Sequence, residues 1–156
     1  MDWDVVMRFL SALGDEAVEY ILIGGVAMNV HGRARATQDI DIFVRPSAEN
    51  VARLQRAIGR VTHDPAVAEI TSQDLAGAYP AIQYVSPDGL LQVDILARLG
   101  EAFAYEDLSW EQKAFGDVAV RVATARTLFR MKRDTVRPSD HVDAQWLARE
   151  YDVEEP

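Results

Sequence analysis

The sequence predicts one α/β (α+β) domain in which a mixed, twisted sheet is flanked by helices. Three observations carry this. Helix-like and strand-like segments are interleaved along the chain, no linker or internal repeat divides it, and 156 residues that are 49% hydrophobic suffice for one buried core.

The elements follow in order. Trp3, Val6, Met7, Leu10 and Leu13 recur at helical spacing, with Asp2 or Asp4 as N-cap, and predict a helix over 4–13 that stops at Gly14. Val18 to Ile23 is β-branched and aromatic and runs into Gly24 and Gly25, a buried strand ending in a tight turn; a short helix over 26–31 follows. Asp-Ile-Asp-Ile-Phe-Val (39–44) alternates acid and apolar residue, as a strand with two unlike faces does. Pro46 and Ser47 open a helix whose buried face is Val51, Leu54 and Ile58, with Gly59 near its end. Residues 61–80 carry no clear period. The segments 81–86 and 90–96 form a hairpin about Pro87, Asp88 and Gly89. A strand over 118–122 and helices over 124–135 and 139–150, parted by Arg137 and Pro138, complete the chain, and its last five residues are expected to fray. The order is α-β-α-β-α-(β)-β-β-β-α-α, with one optional strand before the hairpin.

Composition excludes several functions. Without cysteine there are no disulfides, thiolate nucleophiles or cysteine-held metals, which fits a reducing compartment. The N-terminus has acids where a secretion signal needs bases, and no run of roughly 18 apolar residues occurs, so a cytoplasmic protein with no membrane segment is expected. A net charge of −9 argues against indiscriminate DNA binding. The charge is uneven: residues 61–119 hold ten acids and two bases, whereas 120–137 hold six bases and one acid.

Asp39 and Asp41 lie one residue apart on a strand, so their carboxylates share a face, about 7 Å apart at Cα. Taken alone, such a pair reads first as an exposed strand face with two solvated acids. Asp94, in Leu-Leu-Gln-Val-Asp-Ile-Leu, is likewise the acid of an alternating strand. If the two strands are neighbours, three carboxylates converge; their repulsion calls for a cation, and three acids can hold two hard divalent ions. Gly24 and Gly25, where a strand enters a helix, would let backbone N–H groups approach a phosphate; taken alone they read first as a simple tight turn, and the fourteen positions from Gly25 to Asp39, enough for a helical return between adjacent strands, raise the phosphate reading. Arg126, Arg130, Lys132, Arg133 and Arg137 are too many for one helix face, so most lie at the surface. Lys132 is singled out because a flexible ammonium suits a mobile polyphosphate, although its sequence alone does not prefer it to Arg133. His31, His63 and His141 lack metal-ligand spacing, Thr37 reads as a brace for the turn before Asp39, and Trp3, Trp110 and Trp146 read as packing residues.

The string IGGVAMNVHGRARATQDIDIFV resembles the signature of the DNA polymerase beta-like nucleotidyltransferase superfamily: a hydrophobic strand, Gly-Gly, a short helix, then Asp-x-Asp on the next strand. The R-x-T-x-D-I-D form and the later third Asp are similar to the AbiEii and MenT group of nucleotidyltransferase toxins. LFRMKRDTVRPSDHVDAQWL also resembles that group's closing pattern of Lys, then Arg-Pro-x-Asp, then Asp before a helix. The resemblance implies a nucleotidyltransferase fold over 1–156 as one minimal domain, helical from about 124.

By position, the resemblance implies that Asp39, Asp41 and Asp94 ligate Mg²⁺, two ions or alternatively Mn²⁺, with Asp94 the carboxylate on the base side. Gly24, Gly25 and Lys132 would hold the NTP triphosphate, Asp140 would support Lys132, and Arg35 is a second phosphate candidate. The implied activity is transfer of NMP from an NTP such as ATP to an acceptor hydroxyl with release of pyrophosphate. RNA, a tRNA 3′ end included, is the favoured acceptor, within a toxin-antitoxin or phage-defence system with a protein antitoxin. Two other readings stay open: an inactive nucleotide-binding or interaction module, and a transferase acting on a small molecule.

Overall fold

The Asp2 carboxylate accepts a hydrogen bond from the Val5 amide at 3.2 Å and opens α1 (Trp3–Asp15). The computed structural model describes residues 1–77, 80–101 and 103–153 of the chain. Gly14 does not stop α1, which runs to Asp15 with Glu16 as its C-cap. The chain continues through β1 (Tyr20–Ile23), α2 (Gly24–Val30), β2 (Ile40–Val44) and α3 (Ala48–Thr62). Ser47 caps α3, and the helix runs past Gly59 until His63, in the left-handed conformation, turns the chain away.

The unpatterned stretch holds a 3₁₀ turn (Pro65–Glu69) and a short helix, α4 (Ser72–Ala76), with no strand among its described residues. Each is opened by a local side chain, Asp64 and Thr71 respectively. The optional strand before the hairpin is therefore corrected to helical turns; residues 78 and 79 of that stretch lie outside the described residues. The hairpin forms between β3 (Ala81–Val85) and β4 (Gln92–Leu96), shorter than expected because Ser86 bonds Asp88 and the Leu91 amide to close the loop.

Among the described residues three strands go beyond the pattern: a small ribbon of β5 (Arg98–Leu99) and β6 (Phe103–Ala104), and β7 (Trp110–Phe115), which pairs with β8 (Val118–Ala123); a 3₁₀ turn (Tyr105–Asp107) joins β6 to β7. The last two helices are α5 (Ala125–Lys132), capped by Thr124, and α6 (Pro138–Glu150), in which Pro138 is the first residue rather than a separator. Of the last five residues, Asp152 lies in a turn, and 154–156 lie outside the described residues.

The main sheet has the order β3-β4-β2-β1-β8-β7. β1–β8 and β2–β4 are parallel pairs; β1–β2, β3–β4 and β7–β8 are antiparallel. All four residues of β1 are buried, as in a central strand covered on both faces. Phe9, Leu10 and Leu13 of α1, Leu54 and Ile58 of α3, and Ile21, Leu22, Ile42 and Phe43 of the sheet belong to one core. Buried Asn50 ties α3 to the sheet: its amide bonds the Glu19 backbone N–H and carbonyl and the Arg45 carbonyl. At the other end of the sheet the outward face of β3 and β4 stays open, with Ala81, Gln83 and Val85 exposed. Among the described residues no helix is long and apolar enough to cross a membrane.

Candidate active site

Parallel pairing of β2 with β4 sets Asp41 directly opposite Asp94. Asp39, expected as the first residue of the Asp41 strand, sits instead in the bend that leads into β2, where the Thr37 hydroxyl donates to the Asp39 carbonyl at 3.0 Å and holds the turn. One carboxylate oxygen from each of Asp39, Asp41 and Asp94 lies within 4.8 Å of the others.

This cluster is electrostatically uncomfortable by itself. Burial, then the neighbouring Asp94 and Asp39 carboxylates, push Asp41 up to about 7 despite the opposing pull of Lys132. Burial and Asp94 also raise Asp39 above the ordinary carboxylate range. Either a proton or a cation must offset the crowding, and an all-oxygen donor set of this span fits one or two hard divalent ions, whose oxygen contacts are about 2.1 Å for Mg²⁺.

Gly24 makes room for the cluster. It has φ +70° at the start of α2, and a Cβ there would stand 2.1 Å from Asp41 Oδ2. Gly25 instead faces Thr37, where an added Cβ would meet the Thr37 Cβ at 3.1 Å. The two glycines thus accommodate the chain's own side chains: one lets Asp41 approach, the other lets Thr37 close the bend before Asp39.

Lys132, nearly buried, comes from the last turn of α5 and places its ammonium 3.2 Å from Asp140 Oδ1 and 2.9 Å from Asp143 Oδ2. Burial lowers the Lys132 pKa, with Asp140 opposing. At Asp140 burial acts upward, but the Thr135 hydroxyl, at 2.9 Å, and Lys132 outweigh it and hold the carboxyl below its usual value. Asp143 is deeper still, with 1% of its side chain exposed, and also takes ion pairs from Arg33, at 3.1 Å, and from Arg35. One buried carboxylate therefore joins α5, α6 and the segment leading from α2 to the acidic strand.

The sequence pattern assigns Asp143 no role, and the structure places it inside α6 rather than before a helix. A signal exists: it follows Asp140 by three residues and adjoins Ala144 and Leu147, so it lies on the buried stripe of α6, where an acid requires cationic partners.

A cleft of about 720 Å³ opens over the cluster, lined by Gly24, Asp41 and Asp94 on the sheet side and by Met131, Lys132, Thr135, Arg137 and Asp140 on the helical side. Asp39 joins it through the carboxylate cluster. Gly25 and Arg35 do not line it: Gly25 is turned to Thr37 and Arg35 is held by Asp143. His31 is buried with Nε2 2.8 Å from the Ala123 carbonyl, a packing role. Trp3 and Trp110 differ from core packing: each is 42% exposed, Trp3 edge-on to Phe115 and Trp110 beneath the Arg121 guanidinium.

ANT(2″)-Ia in complex with adenylyl-2″-tobramycin is similar in structure, with TM-score 0.54 and 16% identity over 95% of this chain and 88% of that one. A putative nucleotidyltransferase from Thermotoga maritima has TM-score 0.55 and 13% identity over 95% of this chain and 93% of that one. The solution structure of the antibiotic-resistance factor ANT(2″)-Ia has TM-score 0.55 and 16% identity over 97% and 86%. At these identities the likeness shows a shared fold. No curated protein matches the sequence. Residues 8–156, nearly the whole chain, match the family described as nucleotidyl transferase AbiEii toxin, Type IV TA system, and the protein belongs to that family of nucleotidyltransferases.

Proposed function

We propose that the protein transfers NMP from an NTP to an acceptor hydroxyl, with an RNA 3′ end, tRNA included, as the favoured acceptor, and that it acts in the cytoplasm as the toxin of a toxin-antitoxin or phage-defence system held in check by a protein antitoxin. The convergence of Asp39, Asp41 and Asp94 beside Lys132 in one cleft carries this reading. Asp39, Asp41 and Asp94 would hold one or two divalent cations, Mg²⁺ or alternatively Mn²⁺, which when bound supply charge neutralisation and make the acceptor hydroxyl easier to deprotonate.

The chain's own residues do the positioning. Lys132 offers a charge on the helical wall for the triphosphate, Asp140 and Asp143 fix its direction, and Gly24 leaves Asp41 free to approach the α-phosphate. The acceptor oxygen forms the new bond to the α-phosphorus, the bond to the bridging oxygen of the β-phosphate breaks, pyrophosphate leaves, and Asp94 would take the hydroxyl proton.

The likeness to ANT(2″)-Ia bound to an adenylylated small molecule supports a second reading, a small-molecule acceptor, and the net charge of −9 favours a cationic one. Incubation with Mg²⁺ or Mn²⁺, each labelled NTP in turn, and either total RNA or a small-molecule panel separates them by where label appears. NTP binding without transfer to either pool would instead support a binding module.

A further inference from the structure

We propose that Gln83 is a specificity-determining residue that holds the acceptor: its carboxamide hydrogen-bonds the hydroxyl neighbouring the one that attacks. This rests on the RNA-acceptor reading above and adds the residue that would read the terminal ribose.

Register places Gln83 in line with the carboxylates. Asp41 pairs with Asp94, and Asp94 pairs with Gln83, so the three side chains form one row across β2, β4 and β3 on a single sheet face. Direct neighbours in such a row stand about 5 Å apart at Cβ. Gln83 is exposed, lines the cleft, and has no side-chain hydrogen-bond partner among the described residues.

Charge gives the row a direction. The cleft's cations, Lys132 and Arg137, stand on the helical wall, where Asp140 also lines the cleft and pairs with Lys132, whereas the cleft-lining residues of β3 and β4 include no cation. A triphosphate therefore finds its cationic partners, Lys132 and Arg137, on the helical wall. In-line displacement requires the attacking oxygen to approach opposite the leaving pyrophosphate, hence from the Asp94 and Gln83 end.

The chemistry of the residue fits what arrives there. A carboxamide both donates and accepts, as a hydroxyl does, and it brings no charge to repel a phosphodiester strand. Ala81 and Val85, which flank Gln83 on the same exposed face of β3, are apolar. The strand therefore offers a flat apolar strip with one hydrogen-bonding group beside the reacting atoms, suited to the face and edge of a terminal ribose.

The test compares wild type with Gln83→Ala and Gln83→Leu on total RNA and on the same RNA extended by one 2′-deoxynucleotide, which lacks the neighbouring hydroxyl. We expect both variants to raise KM for RNA by roughly ten-fold, the worth of one hydrogen bond of about 1.4 kcal/mol, with KM for NTP unmoved. Wild type should lose a similar factor on the deoxy-terminated RNA, and the variants should lose little more. Equal discrimination by wild type and variants, or a matching rise in KM for NTP, overturns the proposal alone. If wild type binds NTP yet labels neither RNA, the RNA reading fails and this proposal falls with it. Circular dichroism checks that the variants, altered at an exposed position, remain folded.

Discussion

Gly24 and Asp41 occupy complementary space: the hydrogen on the Gly24 Cα is the only group that fits beside the Asp41 carboxylate, since a Cβ would lie 2.1 Å from Oδ2. Gly24→Ala should therefore displace Asp41, and the positive φ adds a backbone cost of about 1 to 2 kcal/mol. Transfer should fall by roughly 100-fold or more, on the order of 3 kcal/mol in the barrier, while Gly25→Ala, which presses only on the Thr37 side chain, should cost less. Steady-state rates on the two variants, with urea denaturation to separate stability from activity, check this; equal losses would refute the role given to Gly24.

Asp41→Asn should abolish transfer and stabilise the metal-free protein in a pH-dependent way. The folded-state pKa of about 7 lies above the unfolded value near 3.8, so the folded chain retains a proton that the unfolded chain releases between these values. Stability from this group is present below about pH 4 and is lost as pH rises through 7. The advantage of Asn should accordingly grow from pH 4 to 7 and level off above. Urea titrations in EDTA across that range measure it, and an advantage independent of pH would contradict the account. At pH 8, Mg²⁺ should raise the melting temperature of the wild type more than that of Asp41→Asn.

Lys132→Ala should slow transfer by roughly 100-fold and weaken NTP binding, whereas Arg133→Ala should change either by less than about three-fold. The neighbours point about 100° apart around α5. Lys132 lines the cleft between Asp140 and Asp143, while Arg133 reaches the exposed Asp134 at 3.4 Å. Lys132→Arg should restore activity only in part, because a planar guanidinium cannot reproduce a compact ammonium between two carboxylates. NTP titrations and transfer rates on the three variants decide; a silent Lys132→Ala would reassign the phosphate-binding role.

Asp143→Asn should be the most destabilising of these changes. It leaves Arg33, Arg35 and Lys132 facing a neutral amide in a buried setting, a loss of about 3 to 5 kcal/mol by analogy with broken buried ion pairs. Asp140→Asn should cost less, since Asp140 is more exposed and Lys132 keeps Asp143. Urea denaturation on both variants tests the ranking.

Much of the fold and the parts of the candidate site were readable because they rest on local chemistry. Alternation alone places Asp41 on a face of one strand and Asp94 on a face of another, whereas Asp39, expected on the same strand as Asp41, lies in the bend before β2; the caps at Asp2, Ser47 and Thr124 mark helix starts. Period also locates the buried faces of α1 and α3. What was not readable had no period to show. β7 alternates exposed with partly buried residues at a sheet edge, so its hydrophobic signal is weak, and the two-residue ribbon of β5 and β6 is too short for any periodicity.

Relationships between distant residues belong to the tertiary structure. By itself the sequence determined which residue types stand at the strand ends and on α5. It left open whether β2 and β4 are neighbours, and only their parallel register brings Asp41 opposite Asp94. It supplied Gly24 and Gly25 as an undivided pair, whereas packing assigns one to Asp41 and the other to Thr37. Nor could it choose Lys132 over Arg133 or give Asp143 a role. Burial decides both, because an ammonium and a carboxylate removed from water persist only when they face one another, and which charges meet depends on how α5, α6 and the strand-leading segment pack.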